Sequence, residues 1–467
     1  MIVSGRGTAG VLRPGMAARP SRRTGREQNT WDKQRTAKGL IAVMAVLAVA
    51  TSACSSGPSA APSSTTSTTA GSSNTTAEQA ASPGVSATTV TVGQVDDLSA
   101  PLPGLFKGAE DGTQAYFDYI NSLGGVNGRT IKLDAQDSKY DPGTVVAATT
   151  EQIENDFALV GGFSLVDSSE EPVVKAAGMP DIAFPLDPAL GDLPDSYSPF
   201  PNTDSDVPLT VFKVLKQKFP EQAKHLGIIW SDASAATAVG EQAFERAARA
   251  EGFKIVYSAG YAPSQTTFLA NVLTMKARGV QMFFTQGLPD AYAATLAEEM
   301  EQQNFNPINV EGDAYSTNLV KDGGPAVDHM YIEINYLLYL GADSSFPAVK
   351  LFTKWMKIAD PNANFELESL YGWAAAQLFV EGLRNAGNPP TRAGLEAALD
   401  KVTSFNASGL LTTSDPAQNI PGSCLVLAQV QGTRIVRVAP TPPTGFYCLP
   451  NSLLPSPGFK PEVRPTP

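Results

Sequence analysis

The sequence has 467 residues and a formal net charge of −12. The first 38 residues carry nine Lys or Arg against two acids, a charge of +7, so the remainder of the chain carries −19. An acidic surface of this size argues against nucleic acid and anionic lipid as partners. With only two His and three Cys, a His or Cys metal cluster is excluded and no cofactor is expected.

The N-terminal residues have the pattern of an export signal. The basic stretch precedes an uncharged run over residues 39–53, which is short for a membrane-spanning helix of about 20 residues. Small residues then precede Cys54, which resembles the lipobox of bacterial lipoproteins, where the Cys becomes the lipidated first residue of the mature chain. We therefore expect residues 1–53 to be a signal peptide and Cys54 a lipidation site. A plain thiol beside an uncleaved anchor is the alternative.

The segment after Cys54 is expected to be a tether. Residues 55–88 are almost entirely Ser, Thr, Ala, Gly and Pro, and such a composition buries too little apolar surface to fold. Residues 54–88 would therefore hold the folded part at the outer face of the cell membrane, lipid-anchored and extracytoplasmic. Residues 451–467 are expected to be a flexible tail.

The folded part opens with a β-α-β unit. Residues 89–95 alternate β-branched side chains, residues 105–123 have the apolar spacing of a helix, and residues 131–135 alternate again. Such a unit indicates a parallel sheet, whose ligands gather at the carboxyl ends of the strands. The loop over residues 96–104 is therefore expected to face a ligand.

Helices and strands continue to alternate, which predicts an α/β fold. A Pro-rich stretch over residues 185–208 divides two alternating halves, and residues 330–338 are expected to cross between them. Further strands are predicted at 157–162, 181–184, 226–230, 254–258, 280–285 and 308–311, and further helices at 143–155, 172–177, 209–219, 235–251, 268–277, 291–303, 348–358, 369–385 and 392–402. Residues 424–430 and 433–438 predict a hairpin.

Two cysteines remain once Cys54 is assigned to lipid. In an exported protein, Cys424 and Cys448 are expected to form a disulfide that joins the C-terminal segment to the fold. Two unpaired buried thiols are the alternative.

Several motifs occur in an order typical of one protein family. They are Ser99-Ala100-Pro101 after the first strand, Ile120-Asn121 through Gly128-Arg129, Asp137 through Asp141-Pro142, Leu159-Val160-Gly161, and the helix from Tyr371 to Gly387. On these residues the chain resembles the type I periplasmic binding proteins, in particular the leucine/isoleucine/valine-binding branch that supplies ABC transporters. The resemblance covers residues 90–438.

The resemblance implies two doubly wound parallel-sheet lobes joined by a three-strand hinge, with the ligand cleft between them. The N-terminal lobe would comprise residues 89–207 and 333–408, and the C-terminal lobe residues 208–332 and 409–450. The two alternating halves and the Pro-rich crossing agree with this organisation.

The family holds an amino acid's carboxylate with hydroxyls and backbone N–H groups of the first lobe. By this resemblance Asp96 and Ser99 lie in the first ligand loop, and Ser164 or Ser168 could donate to the carboxylate, although either could be a solvated loop residue. Asp187 stands where the family has Ala-Thr. Since an ionised Asp cannot donate to a carboxylate, either Asp187 points away or the ligand is not a free α-amino acid.

The family holds the ligand's ammonium with an acid of the second lobe. Asp313 occupies the corresponding place and could pair with a cation, or could simply form a turn before the next helix. Tyr315 could stack on the ligand or offer its hydroxyl. Gln286, polar directly after a buried strand, is expected in the cleft, whereas Trp230 could be cleft wall or core.

The function expected from the sequence is that of an extracytoplasmic solute-binding lipoprotein. It would capture a small polar ligand, such as an amino acid, an amide or a related compound, and deliver it as a monomer to the permease subunits of an ABC importer. A ligand-sensing ectodomain that docks on a signalling receptor is the alternative. No enzyme motif is present, although Asp96 and Asp97 with Asp313 could form a carboxylate pair for glycoside hydrolysis.

Overall fold

The structure, a computed structural model, describes residues 82–100, 106–201, 206–233, 235–312, 314–363, 365–441 and 445–455. The predicted signal peptide, Cys54, most of the predicted tether and Asp313 lie outside these residues. Within them, no helix is both long enough and apolar enough to cross a membrane.

The first lobe is built on four parallel strands. They are β1 Thr89–Asp96, β2 Thr130–Asp137, β3 Leu159–Val160 and β4 Asp181–Ile182. Their order is β2-β1-β3-β4, and β1 reads TVTVGQVD, whose β-branched residues suit a strand covered on both faces. The connecting helices are α1 Lys107–Ser122, α2 Pro142–Asn155, α3 Glu171–Ala177 and α4 Pro188–Gly191.

The second lobe repeats the alternation on a larger sheet. Its first strand, β5 Asp206–Pro208, lies outside this sheet. The strands of the sheet begin with β6 Leu226–Ser231, β7 Ile255–Tyr261, β8 Met282–Gln286, β9 Ile308–Glu311 and β10 Tyr331–Ile334. Its helices are α5 Thr210–Lys218, α6 Ala235–Ala250, α7 Leu269–Ala277, α8 Asp290–Gln302 and α9 Thr317–Gly323.

Three helices then return to the first lobe: α10 Pro347–Ala359, α11 Leu367–Leu383 and α12 Arg392–Leu399. The backbone of α11 lies directly against α1. A Cβ atom at Gly112 would overlap the Ser369 carbonyl oxygen, and one at Gly372 would overlap the Ala109 carbonyl oxygen. Only glycine fits this approach, which fixes where the first residues of α11 lie.

The chain ends in the second lobe with β11 Val426–Gln431, β12 Arg434–Ala439 and β13 Leu453–Pro455. The sheet order is β12-β11-β10-β9-β8-β6-β7, in which β11 pairs antiparallel with both β10 and β12. The predicted hairpin is therefore present. A disulfide joins Cys424 to Cys448, as expected. Residues 453–455, expected in a flexible tail, instead form β13, which pairs antiparallel with β5.

Three segments that cross between the lobes lie side by side. The Thr412 N–H donates to the Asn335 carbonyl oxygen at 2.8 Å, and the Leu337 N–H donates to that of Leu410 at 2.9 Å. The Ser414 hydroxyl donates to the Pro199 carbonyl oxygen at 2.9 Å, which ties in the first crossing. The predicted fold class, two α/β lobes joined by three crossings, is confirmed.

Candidate ligand-binding cleft

A cavity of about 570 Å³ lies between the two lobes. The first lobe lines it with Phe106, Phe163, Leu165, Phe184 and Leu186. The second lobe and the crossing strand line it with polar and aromatic residues, among them Trp230, Tyr261, Gln286, Tyr292, Asn335 and Tyr336. A smaller cavity of about 250 Å³ next to the crossings shares Gln286 and Asn335 with it. The large cavity is of the size that holds a small molecule.

The wall of the first lobe is apolar and largely aromatic. The ring of Phe184 stacks on that of Tyr371 with centroids 4.3 Å apart and an interplanar angle of 9°. Phe163 stacks on Phe184 at 5.4 Å and meets Phe106 edge-on at 4.4 Å. These contacts hold the rings in fixed orientations, so the wall presents a preformed apolar surface.

The hydroxyl predicted to hold a ligand carboxylate is already engaged within the first lobe. Ser164 Oγ donates to Asp97 Oδ1 at 2.8 Å, and the Leu165 N–H donates to Asp97 Oδ2 at 2.7 Å. Ser138 Oγ also donates to Asp97 Oδ1. Asp97 is fully buried, and this burial raises the pKa of its carboxyl against the opposing effect of those hydrogen bonds. A carboxylate inside the lobe therefore accepts the hydrogen bonds of these donors.

The backbone donors of the next loop also bond to a carboxylate inside the lobe. The N–H groups of Leu186 and Asp187 donate to Asp167 Oδ2 at 2.6 and 3.0 Å. Asp167 is 4% exposed, so its carboxylate lies behind the cleft wall. Asp187 Oδ1 in turn accepts from the Ala189 N–H at 2.8 Å and caps α4. Of the two alternatives for Asp187, the structure shows its carboxylate directed to its own helix.

Three further predicted residues of the first lobe do not line the cavity. Asp96 is fully buried, and it accepts from the Phe163 N–H and from Gln94 Nε2, each at 2.8 Å. Burial raises the pKa of the Asp96 carboxyl well above its usual value. Ser99 is exposed, and its N–H donates to Asp137 Oδ1 at 3.3 Å, while Ser168 is exposed in a short 3₁₀ turn.

In the second lobe, Gln286 ends β8 and lines both cavities, where the sequence placed it. Trp230 is both wall and core, since it lines the large cavity and is only 8% exposed. Tyr315 is 1% exposed in the core, where its hydroxyl accepts from the Leu340 N–H at 2.9 Å. The structure thus brings Gln286 to the cleft and keeps Tyr315 behind it.

Sequence reasoning missed the acids of the cleft. Five carboxylates line the cavity: Glu241, Asp290, Glu333, Glu366 and Glu368. The residues that the structure assigns to this lining include no Lys, Arg or His. These acids belong to α6, α8, β10 and the start of α11, so no local pattern joins them. The polar Glu333 between two apolar residues of the predicted crossing strand is the one signal that could have indicated the cleft.

Several of these carboxylates also have partners in the protein. Glu241 is 1% exposed and accepts from Ser258 Oγ at 2.9 Å. Glu366 Oε1 accepts from the Gly108 N–H at the start of α1 at 3.2 Å. Over the described residues, no three His, Cys, Asp or Glu side chains gather as metal ligands. The apolar side chains and the carboxylates of the lining allow a ligand to be bound by apolar contact and by charge.

The sequence model of a periplasmic binding protein family matches residues 89–434, about three quarters of the chain. The chain belongs to this periplasmic binding protein family. No curated protein sequence matches the chain significantly.

Solved structures of the same fold come from several bacteria. A fatty acid ABC transporter substrate-binding protein from Thermomonospora curvata is 20% identical with a TM-score of 0.65, over 79% of this chain and 98% of that one. A possible leucine/isoleucine/valine-binding protein from Rhodopirellula baltica is 18% identical with a TM-score of 0.65, over 76% and 97%. These likenesses confirm the predicted type I periplasmic binding fold.

A branched-chain amino acid transporter substrate-binding protein from Streptococcus pneumoniae, solved with isoleucine, is 16% identical with a TM-score of 0.61, over 75% of this chain and 100% of that one. The described part of this family member therefore spans the full length of its structural relatives. At these identities the relatives show the fold of this protein. Its ligand has to be inferred from the residues of its own cleft.

Proposed function

We propose that this protein is an extracytoplasmic solute-binding lipoprotein, which captures a small polar ligand between its two lobes and delivers it to an ABC importer. The observation that carries the proposal is the cavity of about 570 Å³, which both lobes and a crossing strand line. A ligand that contacts both walls stabilises the closed arrangement of the lobes, and a hinge at the crossings permits closure. The three adjacent crossings support lobe boundaries near residues 207, 332 and 408.

The relatives give a starting point for the ligand. Their names mention fatty acids, branched-chain amino acids and isoleucine. An amino acid, an amide or a related compound fits the size of the cavity. The protein would act as a monomer that binds its ligand without changing it and contacts the permease subunits of the importer.

A screen of ligands by thermal unfolding tests the capture. A bound solute stabilises the native state by about 2.7 kcal/mol at a concentration of 100 times Kd, which raises Tm by several degrees. Small-angle scattering should then show a smaller radius of gyration with the ligand bound. If amino acids, amides, amines, fatty acids and other small organic acids all leave Tm unchanged, solute capture is wrong.

The anchor and the delivery step need separate tests. Cys54→Ala should move the protein from the membrane fraction to the medium or the soluble fraction. If the variant remains attached to the membrane, Cys54 does not carry a lipid anchor. Deletion of the gene should abolish uptake of the radiolabelled ligand. Uptake at the wild-type rate would favour a sensing ectodomain over delivery to an importer.

A further inference from the structure

We infer that the cleft takes an organic cation without a carboxylate, whose apolar body packs on the aromatic wall of the first lobe. This inference rests on the proposed function, because it names the chemical class of the solute that the same cleft captures. Three observations carry it: the engaged donors of the first lobe, the aromatic wall and the acids that line the cavity.

The donors that could hold a ligand carboxylate are used inside the lobe. Asp97 accepts from Ser164 Oγ and from the Leu165 N–H, and Asp167 accepts from the N–H groups of Leu186 and Asp187. Both carboxylates are at least 96% buried behind the loops. A ligand carboxylate would have to take donors away from a buried internal carboxyl group, which would leave the oxygens of that group without their hydrogen-bond partners.

The loops that follow the strands of the first lobe present apolar surface to the cavity. Leu165 and Leu186 follow the same two loops and line the cavity, together with Phe163 and Phe184. The stacked rings of Phe184 and Tyr371 extend this apolar surface. This wall accepts an aromatic or branched aliphatic body by burial of apolar area. Aromatic rings within about 6 Å also attract a cation.

The charge of the lining has one sign. Five carboxylates and no basic side chain line the cavity among the described residues. The internal segments outside the description, residues 101–105, 202–205, 234, 313, 364 and 442–444, contain no Lys, Arg or His in the sequence either. Carboxylates along a partly enclosed cleft raise the local concentration of cations and repel anions.

Helix starts do not cancel this charge. Asp290 begins α8, and Glu366 and Glu368 flank the start of α11, so the helix dipoles offset part of their charge. Glu241 lies in the second turn of α6 and Glu333 in the middle of β10, where no helix terminus compensates them. The lining therefore includes acids at positions where no helix dipole offsets their charge.

A buried hydroxyl lies next to the cavity. Tyr336 lines the cavity and is 1% exposed, and its hydroxyl has no hydrogen-bond partner of good geometry within the described residues. Burial, followed by electrostatic interaction with the hydroxyl groups of Tyr339 and Tyr371, raises the pKa of Tyr336 well above its usual value, so the group stays neutral.

Matched ligands test the inference on the purified protein by isothermal titration calorimetry. Phenethylamine, phenylalanine and 3-phenylpropionate share one skeleton, as do 3-methylbutylamine, leucine and 4-methylpentanoate, and decanoate represents a fatty acid. We expect each amine to bind at least about tenfold more tightly than its amino acid, and the acids to show no saturable binding. Tighter binding of an amino acid, of either short acid or of decanoate overturns the inference and leaves solute capture standing.

If none of these seven compounds binds, the cation inference is overturned, and solute capture then depends on the wider thermal screen. Among variants, Glu333→Gln should weaken amine binding about tenfold and reduce its dependence on salt concentration. Glu301→Gln, an exposed acid on α8 outside the cavity, is the matched control and should bind as the wild type does. Equal affinities of the two variants overturn the role of the acids. If Glu333→Gln does not fold, Glu368→Gln serves in its place with the same expected loss.

Discussion

The two walls of the cleft use carboxylates in different ways. In the first lobe, Asp96, Asp97 and Asp167 lie behind the wall and accept hydrogen bonds from the loops that carry it. At the cavity itself, by contrast, lie Glu241 and Glu333 of the second lobe and the crossing strand, together with Glu366 and Glu368 at the start of α11. A carboxylate thus fixes loop geometry where it lies behind the aromatic wall, and it contributes negative charge where it lines the cavity.

The largest expected effect comes from removing a carboxylate that lies behind the wall of the first lobe. Asp97→Ala leaves the Ser138 and Ser164 hydroxyls and the Leu165 N–H without their buried acceptor, and we expect it to lower the free energy of unfolding by about 3 kcal/mol or more. Urea denaturation measures the loss. Asp141→Ala removes an exposed N-cap of α2 and should lower the free energy of unfolding much less. Equal losses in the two variants would contradict a structural role of Asp97.

The second effect concerns the helix that joins the two walls. Gly372→Ala places a methyl group against the Ala109 carbonyl oxygen and should destabilise the protein by about 1–3 kcal/mol. Because α11 also carries Glu368 and Tyr371 into the cleft, the variant should bind the ligand more weakly. Gly240→Ala, where a Cβ atom meets nothing within 4 Å, is the control for stability. Wild-type stability of Gly372→Ala would show that α1 and α11 can separate without cost.

The third effect is a pH dependence that belongs to the first lobe. Burial, with nearby Asp181, raises the pKa of Glu170 to about 8, and burial, with nearby Asp167, raises that of Asp181 to about 7. The native state therefore keeps protons that the unfolded chain releases near pH 4. The stability contribution is full below about pH 4 and is lost as the pH rises to about 8, with a slope on the order of 1 kcal/mol per pH unit.

Glu170→Gln should flatten this dependence, measured by urea denaturation between pH 5 and pH 8. Glu171→Gln, whose partner is the surface residue Lys175, is the matched control and should keep the wild-type slope. A wild-type slope in Glu170→Gln would show that this carboxyl is not protonated in the native state near neutral pH.

The smallest effect tests the aromatic wall. Phe184→Leu keeps an apolar side chain but removes the ring that stacks on Tyr371, and we expect a loss of ligand affinity of roughly two- to tenfold with little change in stability. Phe219→Leu removes a ring that packs on Tyr331 away from the cavity and serves as control. If both variants keep the wild-type affinity, the first wall contributes shape alone.

Much of the fold could be predicted because its signals are local. The β-branched alternation of residues 89–95 became β1, the hairpin around Gly432 is present, and the cysteine pair forms its disulfide. The strand predicted at 157–162 is only Leu159–Val160, because the positive-φ Gly161 interrupts the pairing, and the chain returns to β1 only at Phe163, which forms an isolated bridge to Asp96. The tail prediction was wrong at β13, whose register depends on β5 about 250 residues earlier.

The candidate site could be predicted only in part. Gln286 was found because a polar residue directly follows a buried strand, which is a local signal. The sequence cannot tell whether an acid in a loop faces the cleft or its own backbone, and so Asp96 and Ser164 entered the predicted ligand set although both engage partners inside the lobe. The acids of the cavity come from elements far apart in the chain, and only the tertiary fold brings them together.

Native mass spectrometry of the protein purified from its own cells tests the central claim most directly, because it identifies the solute that the cleft holds. The account predicts one bound small molecule that carries an amine or a quaternary ammonium group, has an apolar body and lacks a carboxylate. A bound fatty acid, amino acid or other carboxylate would contradict it.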